Sequence, residues 1–203
     1  MELLIDPNTQ FTEVNMRNCK SATNPTIKLL VEKTIRDEIQ QGNHIVTITK
    51  PTVVSASGAI LKPNSSEVRL IHDCSRPYGH AVNEFISTRY FKFHWLDDAI
   101  KLLKPNYFRA KIDLNHAYQW RPIYSANNQA TGYKWWFSGN DFDSCFYDTR
   151  LPFGAESAPE IFDRPTQAVR RMMGKRGFVN MIVYLDNFHV IGATRSAPIP
   201  MKS

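Results

Sequence analysis

An α+β fold with antiparallel hairpins is what this sequence predicts, on three observations. One long stretch, residues 24–42, carries apolar side chains at helical spacing between an N-cap signal and a glycine. Three pairs of apolar, β-branched or aromatic runs each flank a short polar break: 45–62 with 68–73, 133–137 with 145–149, and 181–185 with 190–191. The 203 residues are 42% hydrophobic, with 12 Phe, 8 Tyr and 4 Trp, which suffices for a sizeable core in one large domain or a lobe of a larger one.

Residues 1–22 show no period and are expected to be a loose lead-in. Asn24-Pro25 is a helix start, with Asn as N-cap and Pro at the first helical position. Ile27, Leu30, Val31, Ile35 and Ile39 form the apolar stripe; Glu32, Arg36, Asp37 and Glu38 are expected on the wet face, and Gly42 closes the helix. Asn64-Ser65-Ser66 turns the chain back into the strand Val68–Asp73, so Lys62 and Arg69 lie on opposite arms of one hairpin near its tip. Such cations discourage edge aggregation by default; they could instead clamp phosphates. Leu96, Ala99, Ile100 and Leu103 mark a helix over 95–103. A strand follows from Tyr107, with Asp113 at its end, and Asn115 to Tyr118 begin a turn or short helix. Leu151-Pro152-Phe153-Gly154 is a loop, and Ser157-Ala158-Pro159 opens a helix toward Gly174.

A net charge of +6 and a pI near 9.3 favour an anionic partner such as nucleic acid. Cys19, Cys74 and Cys145 are odd in number and widely spaced, which argues against a disulfide framework or a zinc ribbon. The six histidines are scattered and read as ordinary core or surface residues. The N-terminus is too short and acidic for a signal peptide, and no apolar run approaches the roughly 20 residues of a membrane helix. An intracellular location, cytoplasmic or nuclear, is expected, with no membrane partner.

Met181 to Gly192 reads as two strands around Asp186-Asn187, taken as the hairpin turn. Asp186 could be a plain turn residue. It could also be half of a cation site, because Asp113 stands at a strand end 73 positions earlier. If the two strands are neighbours, both carboxylates meet at one sheet edge, an arrangement suited to Mg²⁺. Tyr118, Phe153 and Tyr184 read equally as core aromatics.

Four motifs in order resemble those of reverse transcriptases. Ala110 to Tyr118, with Asp113 and an aromatic five positions on, resembles the first palm motif. Leu151 to Phe162 is similar to the Leu-Pro-x-Gly loop and helix ending in Pro-x-x-Phe. Tyr184-Leu185-Asp186-Asn187 resembles the Tyr-x-Asp-Asp hairpin. Lys62 and Arg69 keep the seven-residue interval of the fingers cations. Leu70 to Pro77 and Tyr147 to Phe162 look most like polymerases of DIRS-type retrotransposons. The resemblance implies a right-hand polymerase fingers–palm fold, with an antiparallel palm sheet backed by helices. It places fingers and palm over 43–192, after a lead-in and helix over 1–42 and before a tail over 193–203.

The resemblance also implies roles. Asp113 and Asp186 are the catalytic metal-binding carboxylates, with the Leu114 carbonyl and Asn187 as further metal ligands; the ion is Mg²⁺, with Mn²⁺ as the alternative. Lys62 and Arg69 grip the phosphates of a dNTP. Tyr118 lies under its sugar, Phe153 and Gly154 border its pocket, and Tyr184 touches the primer–template, the template being RNA or DNA. The implied reaction is template-directed nucleotidyl transfer to a primer 3′-hydroxyl by two metal ions.

The sequence departs from the family pattern at three points. Asn187 replaces the second Asp of Tyr-x-Asp-Asp and removes one negative charge. Pro165 falls inside the helix after Pro159. Only 11 residues follow Gly192, leaving no room for thumb or RNase H. A truncated or decayed polymerase copy is therefore expected, and a catalytically inactive nucleic-acid-binding remnant is the rival reading. Arg170, Arg171, Lys175 and Arg176 cluster near a helix end; they suit either its dipole or a nucleic-acid backbone.

Overall fold

The computed structural model describes residues 3–6, 8–87, 92–115 and 117–193. His116 of the first motif and the expected tail from residue 194 lie outside the described residues. The chain divides into two compact units, residues 1–89 with 118–158, and residues 90–117 with 159–203.

The first unit is built on a six-stranded sheet. Its strands are β1 (Val14–Asn15), β2 (His44–Thr47), β3 (Val53–Leu61), β4 (Val68–Asp73), β6 (Gly132–Trp135) and β7 (Ser144–Asp148). They run in the order β1-β3-β6-β7-β2, with β4 also on β3. β3 pairs parallel with β1 and β6; the other pairings are antiparallel, including the predicted hairpin β3–β4 and the pair β6–β7. Because β3 meets three strands along its length, Val53–Ala59 are buried without the alternation of a half-exposed strand.

A short helix α1 (Lys20–Thr23) and the long α2 (Pro25–Gln40) cover this sheet. Asn24 caps α2 as predicted: its side-chain oxygen accepts the Thr26 N–H at 3.0 Å, and Gly42 takes φ +73° just past the end. Val31 and Ile35 are fully buried among Ala59, Val68, Tyr133, Trp135, Phe137 and Phe146. The wet face needs correction at two residues. Glu32 and Glu38 are buried, each held by hydrogen bonds that helical periodicity cannot foresee. Glu32 accepts from the Ser138 N–H (3.2 Å) and hydroxyl (3.0 Å), and Glu38 from the Asn43 amide at 2.6 Å. The lead-in is not loose either. Leu3 is fully buried, and β1 adds to the sheet; a two-residue strand is too short to show a period.

The second unit holds an antiparallel three-stranded sheet, β5-β9-β8, made of β5 (Phe108–Asp113), β8 (Met181–Tyr184) and β9 (Asn187–Gly192). Met181, Val183 and Phe188 form its buried cluster, with Leu114, Met173, Phe178 and Val190 packed against them. The backing helix α4 (Ala158–Lys175) contributes Met173. It runs unbroken through Pro165, where the Thr166 hydroxyl donates to the Asp163 carbonyl at 2.9 Å. Arg170 of the basic cluster donates from Nε to the Met181 carbonyl at 2.9 Å, which ties α4 to β8. Helix α3 (Leu96–Leu102) forms where its period predicts, yet Leu96 and Ile100 are exposed, so the apolar stripe is not a core face. No helix among the described residues is long and apolar enough to cross a membrane.

Candidate active site

The register of the second sheet sets the backbone positions of the two aspartates. β5 pairs with β9 so that Asp113 stands directly opposite Asn187. The Leu114 N–H, one residue past β5, donates to the Asp186 carbonyl at 3.0 Å. Asp113, Leu114, Asp186 and Asn187 therefore occupy adjacent positions at one sheet end, and Tyr184 closes the hairpin opposite Asn187. The expected turn shifts by one residue. Tyr184 pairs with Asn187, so Leu185-Asp186 is the two-residue loop and Asn187 begins β9. Leu185 takes φ +51°, a positive φ at the first of the two central positions, as in a type II′ turn. Glycine usually fills that position; a leucine there costs roughly 1–2 kcal/mol. The apolar side chain hid this turn from the sequence reading.

These groups fit a hard divalent cation. Asp113 is well exposed, with Lys111 Nζ 3.8 Å from its carboxylate. Asp186 Oδ1 accepts from Asn187 Nδ2 at 2.8 Å, and Asn187 Oδ1 is buried with no hydrogen-bond partner. Two carboxylates at adjacent backbone positions, with an orphaned neutral oxygen on the neighbouring Asn187, are donors that suit Mg²⁺, which takes one or two protein carboxylates and leaves other positions to phosphates and water. No group of three or more His, Cys, Asp or Glu side chains gathers among the described residues, so those residues alone offer no closed cage.

Lys62, Arg69, Tyr118, Phe153 and Gly154 belong to the first unit. Arg69, opposite Ile60 in the β3–β4 register, lays its guanidinium over the Phe153 ring at 5.1 Å. Phe153 also meets Tyr118, with ring centroids 5.6 Å apart. Lys62 pairs with Glu67 at 2.7 Å on the exposed tip. Such a pair is worth at most about 1 kcal/mol, so an anionic ligand can draw the ammonium away. Gly154 sits against β4: a Cβ there would lie 1.9 Å from the His72 carbonyl oxygen, and its φ is +147°. The His72 N–H donates to the Phe153 carbonyl at 3.0 Å, fixing the loop to the strand.

Two features escaped the sequence reading. Phe93 and Trp95 surround Tyr184, at ring centroid distances of 5.1 and 6.2 Å; the aromatic run 90–95 was the available signal. The second feature is a buried polar cluster in the first unit. Tyr133 OH and His44 Nδ1 are 2.5 Å apart, and His44 Nε2 lies 4.0 Å from Asp148. Burial, with His72 nearby, pushes the His44 pKa down to about 3. Burial also lowers His72 to about 4 and raises Asp148 to about 7.

Opposing pH dependences follow. From pH 6.5 down to about 4 the unfolded chain protonates both histidines while the folded chain refuses them, so each costs stability as pH falls. Asp148 binds its proton in the folded chain below about pH 7 and in the unfolded chain only near 3.8, so it contributes stability that is lost as pH rises toward 7. Two histidines against one carboxyl leave a difference that grows from a fraction of a proton at pH 6.5 toward one proton at pH 5. Lowering the pH from 6.5 to 5 is expected to cost on the order of 1 kcal/mol, read as a fall in the urea midpoint. His72→Leu should flatten that dependence; an undiminished slope would place its source elsewhere.

No protein-family model matches this chain, and no curated protein sequence does. Solved structures do. The foamy viral protease–reverse transcriptase dRH in complex with double-stranded DNA superposes with a TM-score of 0.70 at 21% identity, over 96% of this chain and 30% of that one. The foamy viral protease–reverse transcriptase in complex with an RNA/DNA hybrid gives 0.69 and 21%, over 95% and 23%. The native prototype foamy virus protease–reverse transcriptase gives 0.67 and 21%, over 92% and 22%. The chain thus spans less than a third of the length of these proteins. It has the α+β fingers–palm fold of reverse transcriptases, with a sheet backed by helices.

Proposed function

We propose that this chain is a reverse-transcriptase-like domain that transfers a nucleotidyl group from a dNTP to the 3′-hydroxyl of a primer paired to an RNA or DNA template. The observation that carries the reading is the β5–β9 register, which sets Asp113 beside Asp186 and Asn187. In this reading residues 43–192 are fingers and palm, and DIRS-type retrotransposons are the source of the sequence. Asp113, Asp186, the Leu114 carbonyl and Asn187 hold Mg²⁺ or Mn²⁺. Bound there, such ions would supply positive charge toward the primer hydroxyl and the pyrophosphate leaving group. Lys62 and Arg69 bind the nucleotide's phosphates, and the Arg69–Phe153 stack holds the guanidinium ready. Tyr118, against Phe153, supports the sugar and obstructs a 2′-hydroxyl. Gly154 lets the loop approach β4, and Tyr184 meets the primer–template. The primer oxygen gives its proton to solvent water and bonds to the α-phosphorus as the bond to pyrophosphate breaks.

Asn187 favours a second reading, a catalytically inactive nucleic-acid-binding remnant, because an amide cannot supply the charge of a carboxylate. Primer extension on an RNA template in Mg²⁺ and in Mn²⁺, with the unmodified chain and Asn187→Asp, separates the two. The polymerase reading predicts extension by both, with Asn187→Asp faster by at least about tenfold, the equivalent of 1.4 kcal/mol of transition-state stabilisation. Duplex binding without extension by either chain would establish the inactive module.

A further inference from the structure

We propose that Asn83 is a positioning residue for the nucleotide pocket: it bridges the Gly154 carbonyl and the Glu156 N–H of the Phe153–Glu156 loop without touching the nucleotide. The inference rests on the nucleotide-binding role proposed for Phe153. Asn83 lies in a short 3₁₀ turn, Val82–Phe85, more than 65 positions before the loop. Its Nδ2 donates to the Gly154 carbonyl at 3.1 Å and to the Ser75 hydroxyl oxygen at 2.9 Å. Its Oδ1 accepts the Glu156 N–H at 2.9 Å. A carbonyl can only accept and a backbone N–H can only donate, so these partners fix the amide orientation. The Asn83 N–H in turn donates to the Cys74 carbonyl at 2.9 Å, which anchors the residue just past β4.

The loop thus has two supports. From β4, the His72 N–H takes the Phe153 carbonyl. From the 3₁₀ turn, Asn83 takes the Gly154 carbonyl and the Glu156 N–H. Phe153, whose carbonyl is held by the first support and whose successor is held by the second, carries the ring that meets Arg69 and Tyr118. Gly154 lacks a Cβ and cannot hold its own backbone by side-chain packing. A bifunctional side chain from outside the loop does so, and no shorter or purely accepting residue at position 83 can serve both ends.

The test uses the full chain bound to a primer–template whose primer ends in a dideoxynucleotide, so that dGTP binds opposite cytosine without reacting. With Mg²⁺ present, Asn83→Ala is expected to weaken dGTP binding about tenfold, the equivalent of losing one or two hydrogen bonds. In a Phe153→Ala background the same substitution should change it less than twofold. Equal effects in both backgrounds would show general destabilisation and overturn the inference. If Asn83→Ala does not unfold cooperatively, Asn83→Asp takes its place; it keeps the volume and the Glu156 acceptor and loses the donors. Amide hydrogen exchange of the free chain supplies a second readout. Asn83→Ala should accelerate exchange over residues 153–156 and leave α2 unchanged. If the unmodified chain fails to bind dGTP, the nucleotide-site reading falls. Hydrogen exchange then decides on Asn83 alone, and unaltered exchange over 153–156 overturns its role.

Discussion

Asp113→Ala is expected to weaken Mn²⁺ binding by more than about a hundredfold while leaving thermal unfolding within about 0.5 kcal/mol of the unmodified chain. The separation of the two effects follows from the side chain's surroundings. Asp113 ends β5 with a well-exposed carboxylate 3.8 Å from Lys111 Nζ. Exposed ion pairs of this kind contribute little to folding. In the proposed cation site its contribution is the charge it lends to the position beside Asp186. Asp186→Ala should abolish binding as well, but with a stability cost, because the Asn187 amide loses its acceptor at 2.8 Å. Free Mn²⁺ read by electron paramagnetic resonance measures both. Binding that survives Asp113→Ala would remove the β5–β9 sheet end as the cation site.

Gly154→Ala is expected to be among the most damaging single methyl additions in the first unit. The added Cβ would stand 1.9 Å from the His72 carbonyl oxygen and 3.0 Å from its carbon, with φ at +147°. Neither atom can yield, since both belong to the backbone of β4. The loop must leave the strand, losing the His72–Phe153 hydrogen bond and the Asn83 contacts. A cost of about 3 kcal/mol or more is expected, which lowers the thermal midpoint by roughly 6–12 °C. Gly139→Ala is the control. Its φ of +92° is also left-handed, but nothing lies within 4 Å of the added Cβ, so only the backbone preference of about 1 kcal/mol is lost. Equal effects at the two positions would show that close approach to β4 is unimportant.

Where local patterning governs, the sequence was legible. Asn24-Pro25 and Gly42 bound α2 because capping and left-handed geometry depend on single residues. The hairpins at 53–73 and 181–192 were legible from apolar runs around polar breaks. Asp113 and Asp186 could be singled out, but only the β5–β9 register shows them adjacent, since pairing across 73 positions leaves no local trace. Glu32 and Glu38 were misread because burial of a carboxylate depends on Ser138 and Asn43, partners that no periodicity encodes. The turn was misplaced by one residue because a leucine at positive φ contradicts turn preference; pairing on both sides overrides it. The parallel pairings of β3 with β1 and β6 were equally invisible, being contacts between short strands with no connecting pattern.

Primer extension by the full chain on an RNA template in Mg²⁺, with Asp113→Ala alongside, tests the central claim most directly. A two-carboxylate polymerase site predicts dNTP incorporation directed by the template and lost in Asp113→Ala. Equal incorporation by both proteins, or tight duplex binding with none by the unmodified chain in Mg²⁺ or Mn²⁺, would contradict it.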